Sequence, residues 1–355
     1  MNENTSPNEP ALVHGGQLGE MAKRYHIARQ NWLDLSTGIA PISYPVGLIP
    51  QACWQRLPQP SNALLSAARH YYRSTHLLAT PGSQSIIQIL PQLCKQRGFK
   101  AARVWLPIVG YQEHRKAWQN ADFITLDYTD SPDVNLIGQG DIVLIINPNN
   151  PSGKLHTSAQ LTNLLQMISV KNGLLIIDEA FMDATPEHSM APLLSANTTH
   201  KQINQDALLI LRSVGKFFGL AGIRLGFVIA SDDWLTLIMH ALGPWSVNGP
   251  AQYVGAQALA DKHWQHAQRE VLNNLSEVLH NVLTTIFNVP VQGTTLFKTL
   301  LTAHAPALFD ALCKQGIYVR LCDEGNALRF GIPDEQGIER LRKALGTKNI
   351  RDAMK

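Results

Sequence analysis

Ser213-Val214-Gly215-Lys216-Phe217-Phe218-Gly219-Leu220-Ala221-Gly222-Ile223-Arg224-Leu225-Gly226 is the segment on which the reading of the chain turns. It follows the apolar run Leu208 to Leu211 and leads into a second, Leu225 to Ala230, both with the composition of buried strands. A lysine just past a strand, then a glycine-rich turn and an arginine, can bring an amine and a guanidinium into one crevice at the strand's C-terminal edge. Desolvated there, a lysine titrates low and can form a Schiff base with an aldehyde. Taken alone, a lysine in such a loop is most often a surface residue, so the neighbouring sequence has to decide. The two runs lie too close together for a long helical crossover, and the pair is expected to run antiparallel.

Upstream, further strand candidates are Arg103 to Leu106, Phe123 to Leu126, Asp141 to Ile146 and Leu174 to Asp178, most of them bounded by Gly, Pro or Asn. Helices fit Ser83 to Gln96 and Ser158 to Ile168, the latter opened by Thr157 or Ser158 as N-cap. This alternation predicts an α/β layer with a mainly parallel sheet. After Gly249 the texture changes: a long helical stretch, Ala251 to Ile286, precedes strands near Ile317 to Leu321 and Leu328 to Ile332 and a closing helix from Asp334, the pattern of a smaller α+β domain. The turn-rich first 45 residues suit an arm or lid. The expected division is therefore 1–45 as an arm joining the small domain, 46–248 as the large α/β domain and 249–355 as the small one.

Composition narrows the function. The chain has 355 residues, 45% hydrophobic and 16% charged, which is enough for one large or two modest domains. Lys+Arg 30 against Asp+Glu 27 gives +3 with no basic block, so a nucleic-acid role is not expected. Cys53, Cys94, Cys313 and Cys322 are far apart, which argues for reduced thiols rather than a disulfide framework or zinc ribbon. No secretory leader or membrane span is legible, and a cytoplasmic protein is expected. His263 and His266 sit at helical spacing without carboxylate partners and read as a solvated face, so no metal site is expected.

Three more segments could carry chemistry. Asn147-Pro148-Asn149-Asn150-Pro151-Ser152-Gly153 follows a strand and can hold an Asn amide toward a ligand, although alone it is only a turn. Asp178-Glu179-Ala180-Phe181 ends an apolar strand in a carboxylate, which must be paired there or bonded to a cationic ligand group; a helix N-cap is the plainer alternative. Pro81-Gly82-Ser83-Gln84-Ser85 enters a helix whose free amides and dipole can cradle a phosphate, though capping alone explains a serine there. No dinucleotide, P-loop, zincin or hydrolase motif occurs.

In this order the four segments resemble the fold-type I pyridoxal 5'-phosphate enzymes of aminotransferase class I/II, in the histidinol-phosphate aminotransferase branch. The resemblance implies a mainly parallel seven-stranded sheet between helices in the large domain, a small α+β domain and a homodimer. It implies Lys216 as the Schiff-base lysine, Asp178 as partner of the pyridinium nitrogen, and Tyr111, in Gly110-Tyr111-Gln112-Glu113-His114, as the aromatic stacked on the ring. It implies Asn150 for the ring 3'-oxygen, and Gly82, Ser83, Gln84, Ser213 and Arg224 for the cofactor phosphate.

Other features are similar to the L-threonine-O-3-phosphate decarboxylases of cobalamin biosynthesis: His14-Gly15-Gly16, and Leu33-Asp34-Leu35-Ser36-Thr37-Gly38-Ile39. Phe181 stands where such aminotransferases have a tyrosine, Leu57 where a partner-subunit tyrosine is usual, and Ala40 where those decarboxylases have an asparagine. This resemblance implies a small phosphorylated amino-acid substrate. His14, Gly38, Asn150, Arg320 and Arg329 would bind it, with Arg329 on its carboxylate and Arg320 near its phosphate. It further implies loss of CO₂ and a downstream enzyme of cobalamin biosynthesis as consumer of the product. The competing expectation is histidinol-phosphate, or another amino-acid, aminotransferase. A non-catalytic member of the fold, serving as a binding partner for a cobalamin enzyme, is the reading from a different class.

Overall fold

The computed structural model describes residues 14–99, 102–195 and 204–354; the first thirteen residues of the expected arm lie outside them. Strand β1 (Leu33–Asp34) opens the chain's β structure. The next seven are β2 (Leu77–Thr80), β3 (Arg103–Pro107), β4 (Ile124–Tyr128), β5 (Ile142–Ile146), β6 (Leu174–Asp178), β7 (Leu208–Ser213) and β8 (Gly226–Ala230). They form one sheet in the order β2-β8-β7-β6-β5-β3-β4. Neighbours from β7 to β4 pair in parallel, whereas β8 runs antiparallel to both β7 and β2, in agreement with the short link between β7 and β8.

The central strands read as continuous apolar runs because both faces of the sheet are covered. Side chains alternate between faces. Val143, Ile145, Leu175 and Ile177 enter one core, and Ile142, Leu144, Leu174 and Ile176 enter the other. Each such side chain contributes about 1.5–3 kcal/mol on burial. The same alternation sorts the polar residues that follow. Asp178 falls on the face covered by the helices Ser83–Gln96 and Gln112–Asn120, and Glu179 falls on the opposite one.

The last five strands are β9 (Val291–Gly293), β10 (Phe297–Leu301), β11 (Ile317–Tyr318), β12 (Arg320–Leu321) and β13 (Ala327–Gly331). Four of them form an antiparallel sheet in the order β12-β13-β10-β9, and β11 pairs in parallel with β1. The chain's beginning is thus stitched into the small α+β body. Trp32 and Met21 pack with Cys313 and Tyr318 there.

Several boundaries differ from expectation. The turn-rich start contains a helix, Leu18–Tyr25, docked by Met21 alone among its buried residues. Strand β2 was not legible as a strand. The long helical stretch is two helices, Gly249–Ala260 and Lys262–Phe287, broken at Asp261, whose carboxylate caps the second by accepting the Trp264 N–H at 2.9 Å. The first of these packs within the large core through Val254, Ala258 and Leu259. The sequence boundary drawn at Gly249 therefore precedes a helix that lies with the large body, because its small residues fit closely against the helix Asn62–Tyr72. His263 and His266 are exposed, as their spacing suggested, but His266 Nε2 meets Glu270 Oε1 at 3.4 Å one turn on, a carboxylate partner not expected from the sequence.

Candidate active site

At the C-terminal edge of the large sheet, Gly82, Ser83, Gln84, Tyr111, Asn150, Asp178, Ser213, Lys216 and Arg224 line one cavity. His14, Gly38, Asn150, Arg320 and Arg329 line a second, and the two share Tyr111, Asn150 and Lys216. Both sets of sequence-assigned residues are brought together, with Lys216 at the junction.

Lys216 follows β7 and is desolvated among apolar side chains, its Nζ 5.4 Å from the centre of the Phe181 ring. Burial, and then the positive charge of Arg329, push its amine down to about 8, while Asp178 opposes the shift. Phe181 is itself buried and meets Phe297 edge-on at 5.3 Å, so a ring without a hydroxyl fits the packing here. Asp178 Oδ2 faces His114 Nε2 at 2.9 Å, and Asp178 Oδ1 accepts the Ala180 N–H at 3.0 Å. His114 is buried on the helix that starts after Tyr111. Sequence reasoning passed over it, although a strand-end carboxylate facing a core signals that some partner must exist.

The helix Ser83–Gln96 begins behind Gly82, which sits at φ 78° and gives its first turn no side-chain cap. A Cβ at Gly82 would lie 2.8 Å from Arg224 Nη2, so the open amides and the guanidinium share a cradle that any larger residue would fill. Tyr111 donates its hydroxyl proton to Gln84 Oε1 at 2.9 Å, which fixes the ring beside this cradle. An anion cradle, a buried carboxylate and a desolvated amine form a donor set that fits pyridoxal 5'-phosphate.

In the second cavity, Arg329 of β13 donates through Nη1 to Asn150 Oδ1 and through Nη2 to the Ser36 carbonyl, both at 2.5 Å. Its Nε is buried without a partner. Burial holds its guanidinium down to about 10. Arg320 donates to Asp323 Oδ1 at 2.6 Å while still lining the cavity. His14 Nε2 lies 2.8 Å from Glu113 Oε1. The glycines after His14 have a steric reason: a Cβ at Gly15 would fall 2.2 Å from the Ser36 carbonyl oxygen, and the Gly16 N–H donates to Ser36 Oγ at 2.8 Å.

Residues 57–345 match the model of the family "Aminotransferase class I and II". The chain belongs to that family. Members of it work with pyridoxal 5'-phosphate. It is 39% identical over 335 residues to threonine-phosphate decarboxylase of Pseudomonas aeruginosa, covering 94% of this chain and 97% of that one. It is 36% identical over 345 residues to threonine-phosphate decarboxylase of a Sinorhizobium species, covering 96% and 99%. The crystal structure of histidinol-phosphate aminotransferase from Sinorhizobium meliloti in complex with pyridoxal-5'-phosphate superimposes with a TM-score of 0.75 over 99% of both chains at 16% identity. The fold is therefore fold-type I, as the resemblance implied. No helix among the described residues is long and apolar enough to cross a membrane.

Proposed function

We propose that the protein is a pyridoxal 5'-phosphate-dependent lyase that converts L-threonine O-3-phosphate to (R)-1-amino-2-propanol O-2-phosphate and CO₂, supplying the aminopropanol linker for cobalamin biosynthesis. The observation that carries this reading is that Arg329 and Arg320 line a single cavity that opens onto Lys216. The substrate carries a carboxylate and a phosphate separated only by Cα, Cβ and an ester oxygen. Two guanidiniums on adjacent strands suit that pair of anions. The names of the two relatives support the same substrate, and the phenylalanine at 181 distinguishes the site from the tyrosine-bearing aminotransferases it resembles.

Gly82, Ser83, Gln84, Ser213 and Arg224 would hold the cofactor phosphate, Asn150 Nδ2 the ring 3'-oxygen and Asp178 the ring nitrogen, with Tyr111 on the ring face. When bound, the cofactor supplies an electron sink for the pair left behind when a bond to Cα breaks. The chain's residues decide which bond that is. Arg329, braced by Asn150 and Ser36, orients the substrate carboxylate. Arg320 and His14 would anchor the phosphate, and this remote grip would orient the substrate so that the Cα–carboxylate bond is the one that breaks. Lys216 Nζ, its value lowered to about 8, can as a neutral amine take up a proton from the incoming substrate ammonium, and as the ammonium so formed would deliver a proton to Cα after CO₂ leaves. Asp178, held in place by the His114 contact, would pair with the ring nitrogen.

Leu48, Trp54, Leu57 and Trp245 stand exposed at 97%, 61%, 65% and 56%. Large apolar side chains in that number favour a homodimer over an isolated chain. We assign the protein to the cytoplasm on the strength of its reduced-thiol composition. The deciding experiment incubates the pure protein and pyridoxal 5'-phosphate with L-threonine O-3-phosphate, without any keto acid, and follows CO₂. Release that disappears in Lys216→Ala establishes the lyase. Amino transfer from histidinol phosphate to 2-oxoglutarate, with no CO₂, would replace it by the aminotransferase.

A further inference from the structure

Glu113 receives more than its position on a helix explains. As an acid in the first turn of Gln112–Asn120 it is already placed favourably against the helix dipole. Yet its carboxylate is drawn into three tertiary contacts. His14 Nε2 meets Oε1 at 2.8 Å, while Gln84 and Gln88 donate their amide protons to Oε2 at 2.9 and 3.0 Å. Its side chain is 13% exposed, so these contacts largely replace water. Gln84 also accepts the Tyr111 hydroxyl through its Oε1. One carboxylate thereby joins His14 of the arm, the helix behind the cofactor cradle and, through Gln84, the aromatic beside it.

The partners belong to different bodies. Gln84, Gln88 and Glu113 lie on helices over the large sheet. His14 belongs to the arm, which is tied to the small body by the Tyr318 hydroxyl donating to the His14 carbonyl at 3.5 Å, by Tyr25 donating to Asp310 and by the β1–β11 pairing. The His14–Glu113 contact therefore ties the arm to the large body beside the cavity that His14, Asn150 and Arg329 line, a second link between the bodies besides the Arg329–Asn150 bond.

We propose that Glu113 is a positioning residue that latches the arm over the substrate cavity and couples arm closure to the setting of Gln84 and Tyr111. It touches neither reacting atoms nor cofactor; it acts by holding His14 where the substrate's anionic end enters. The latch rests on the placement of the cofactor and substrate cavities and is independent of which bond at Cα breaks.

A double-mutant cycle in the holoenzyme tests it, with Glu113→Ala, His14→Ala and both together; Glu113→Gln, which fills the same volume, runs alongside should the alanine fail to fold. Glu113→Ala is expected to raise KM for L-threonine O-3-phosphate about tenfold, the scale of one lost hydrogen bond to a charged group, and His14→Ala, which also removes a contact to the substrate phosphate, at least as far. The double variant should be no worse than the poorer single one. Amide exchange in a peptide spanning residues 14–22, measured on the holoenzyme without substrate, should quicken in both singles and no further in the double. Fold-changes that multiply in the double variant, or a Glu113 variant whose KM and arm exchange match the parent, overturn the latch. Failure of the decarboxylase reading would show instead as no CO₂ from the parent enzyme, with the exchange coupling intact.

Discussion

Arg320 and Arg329 stand directly opposite each other in the antiparallel register of β12 and β13. Cross-strand partners point to the same face, and like charges so placed repel. Asp323 offsets part of that repulsion at Arg320, and the Ser36 carbonyl and Asn150 receive Arg329. The arrangement is poor for an isolated sheet and good for an anionic ligand.

Removing either guanidinium should therefore weaken substrate binding more than it harms the fold. Arg320→Ala is expected to raise KM for L-threonine O-3-phosphate by about ten- to a hundredfold, the scale of a lost hydrogen bond to a charged group. Arg329→Lys should do the same, because an ammonium cannot reach Asn150 and Ser36 as a planar fork does. Steady-state kinetics together with thermal unfolding distinguish this from general damage: the melting temperature should stay close to that of the parent.

Lys216 sets a pH dependence with a definite sign. Its lowered value means that the amine is protonated below about 8 and neutral above it. The rate at which the apoprotein amine reacts with an amine-selective label should rise with pH to a plateau, half-maximal near 8 rather than near the 10.5 of an ordinary lysine. Arg329→Ala removes a positive neighbour and should move the midpoint up. Asp178→Asn removes a negative one and should move it down. Peptide mapping of the labelled residue across pH reads all three.

His114 holds Asp178 from the helix side. His114→Phe leaves that carboxylate with the Ala180 N–H as its remaining partner among the contacts described above. The loss should appear in kcat, lowered by about ten- to a hundredfold, with KM for the phosphorylated substrate little changed, since His114 is not among the residues lining the substrate cavity. A shift in the visible absorbance of the bound cofactor should accompany it.

On the other face, Arg212 is fully buried between Glu179, at 2.5 Å, and Asp183. Glu179 and Arg212 are the immediate chain neighbours of Asp178 and Ser213, so this ion cluster pins from behind the strand ends that carry the site. Arg212→Met strands two buried carboxylates and should cost about 3–5 kcal/mol, read as an earlier denaturant midpoint. Replacing all three by apolar residues of matching volume should recover most of that loss.

The parts of the fold that could be read from the sequence are those in which local pattern and tertiary burial agree. Val143 and Ile145 alternate with Leu144 and Ile146 between two cores, so β5 is apolar along its whole length and bounded by a turn. Thr157 forms a full capping box with Gln160, and the helix it starts was placed to within a residue. Strand β2 is four residues long, half-buried in its middle and at the sheet's edge, which leaves little periodic signal. At Asp261 the helical pattern runs on without a breaker, because the chain turns there through a cap rather than through Gly or Pro. Lys216, Asp178 and Arg224, which line one cavity, could be singled out as candidates because their segments carry distinctive turns. His114 and Glu113 look like ordinary helix residues until the fold brings Asp178 and His14 to them.

The pairing of β1 with β11 has a consequence for how the molecule comes into being. During synthesis the large sheet is complete once β8 has emerged, and nothing in its strand order waits for the rest of the chain. The arm has no strand to join until the ribosome has delivered Ile317 and Tyr318. A nascent chain therefore carries an assembled large sheet while Leu33 and Asp34 still lack their strand partner, and the cavity lined by Arg320 and Arg329 is complete only once the last strands have joined.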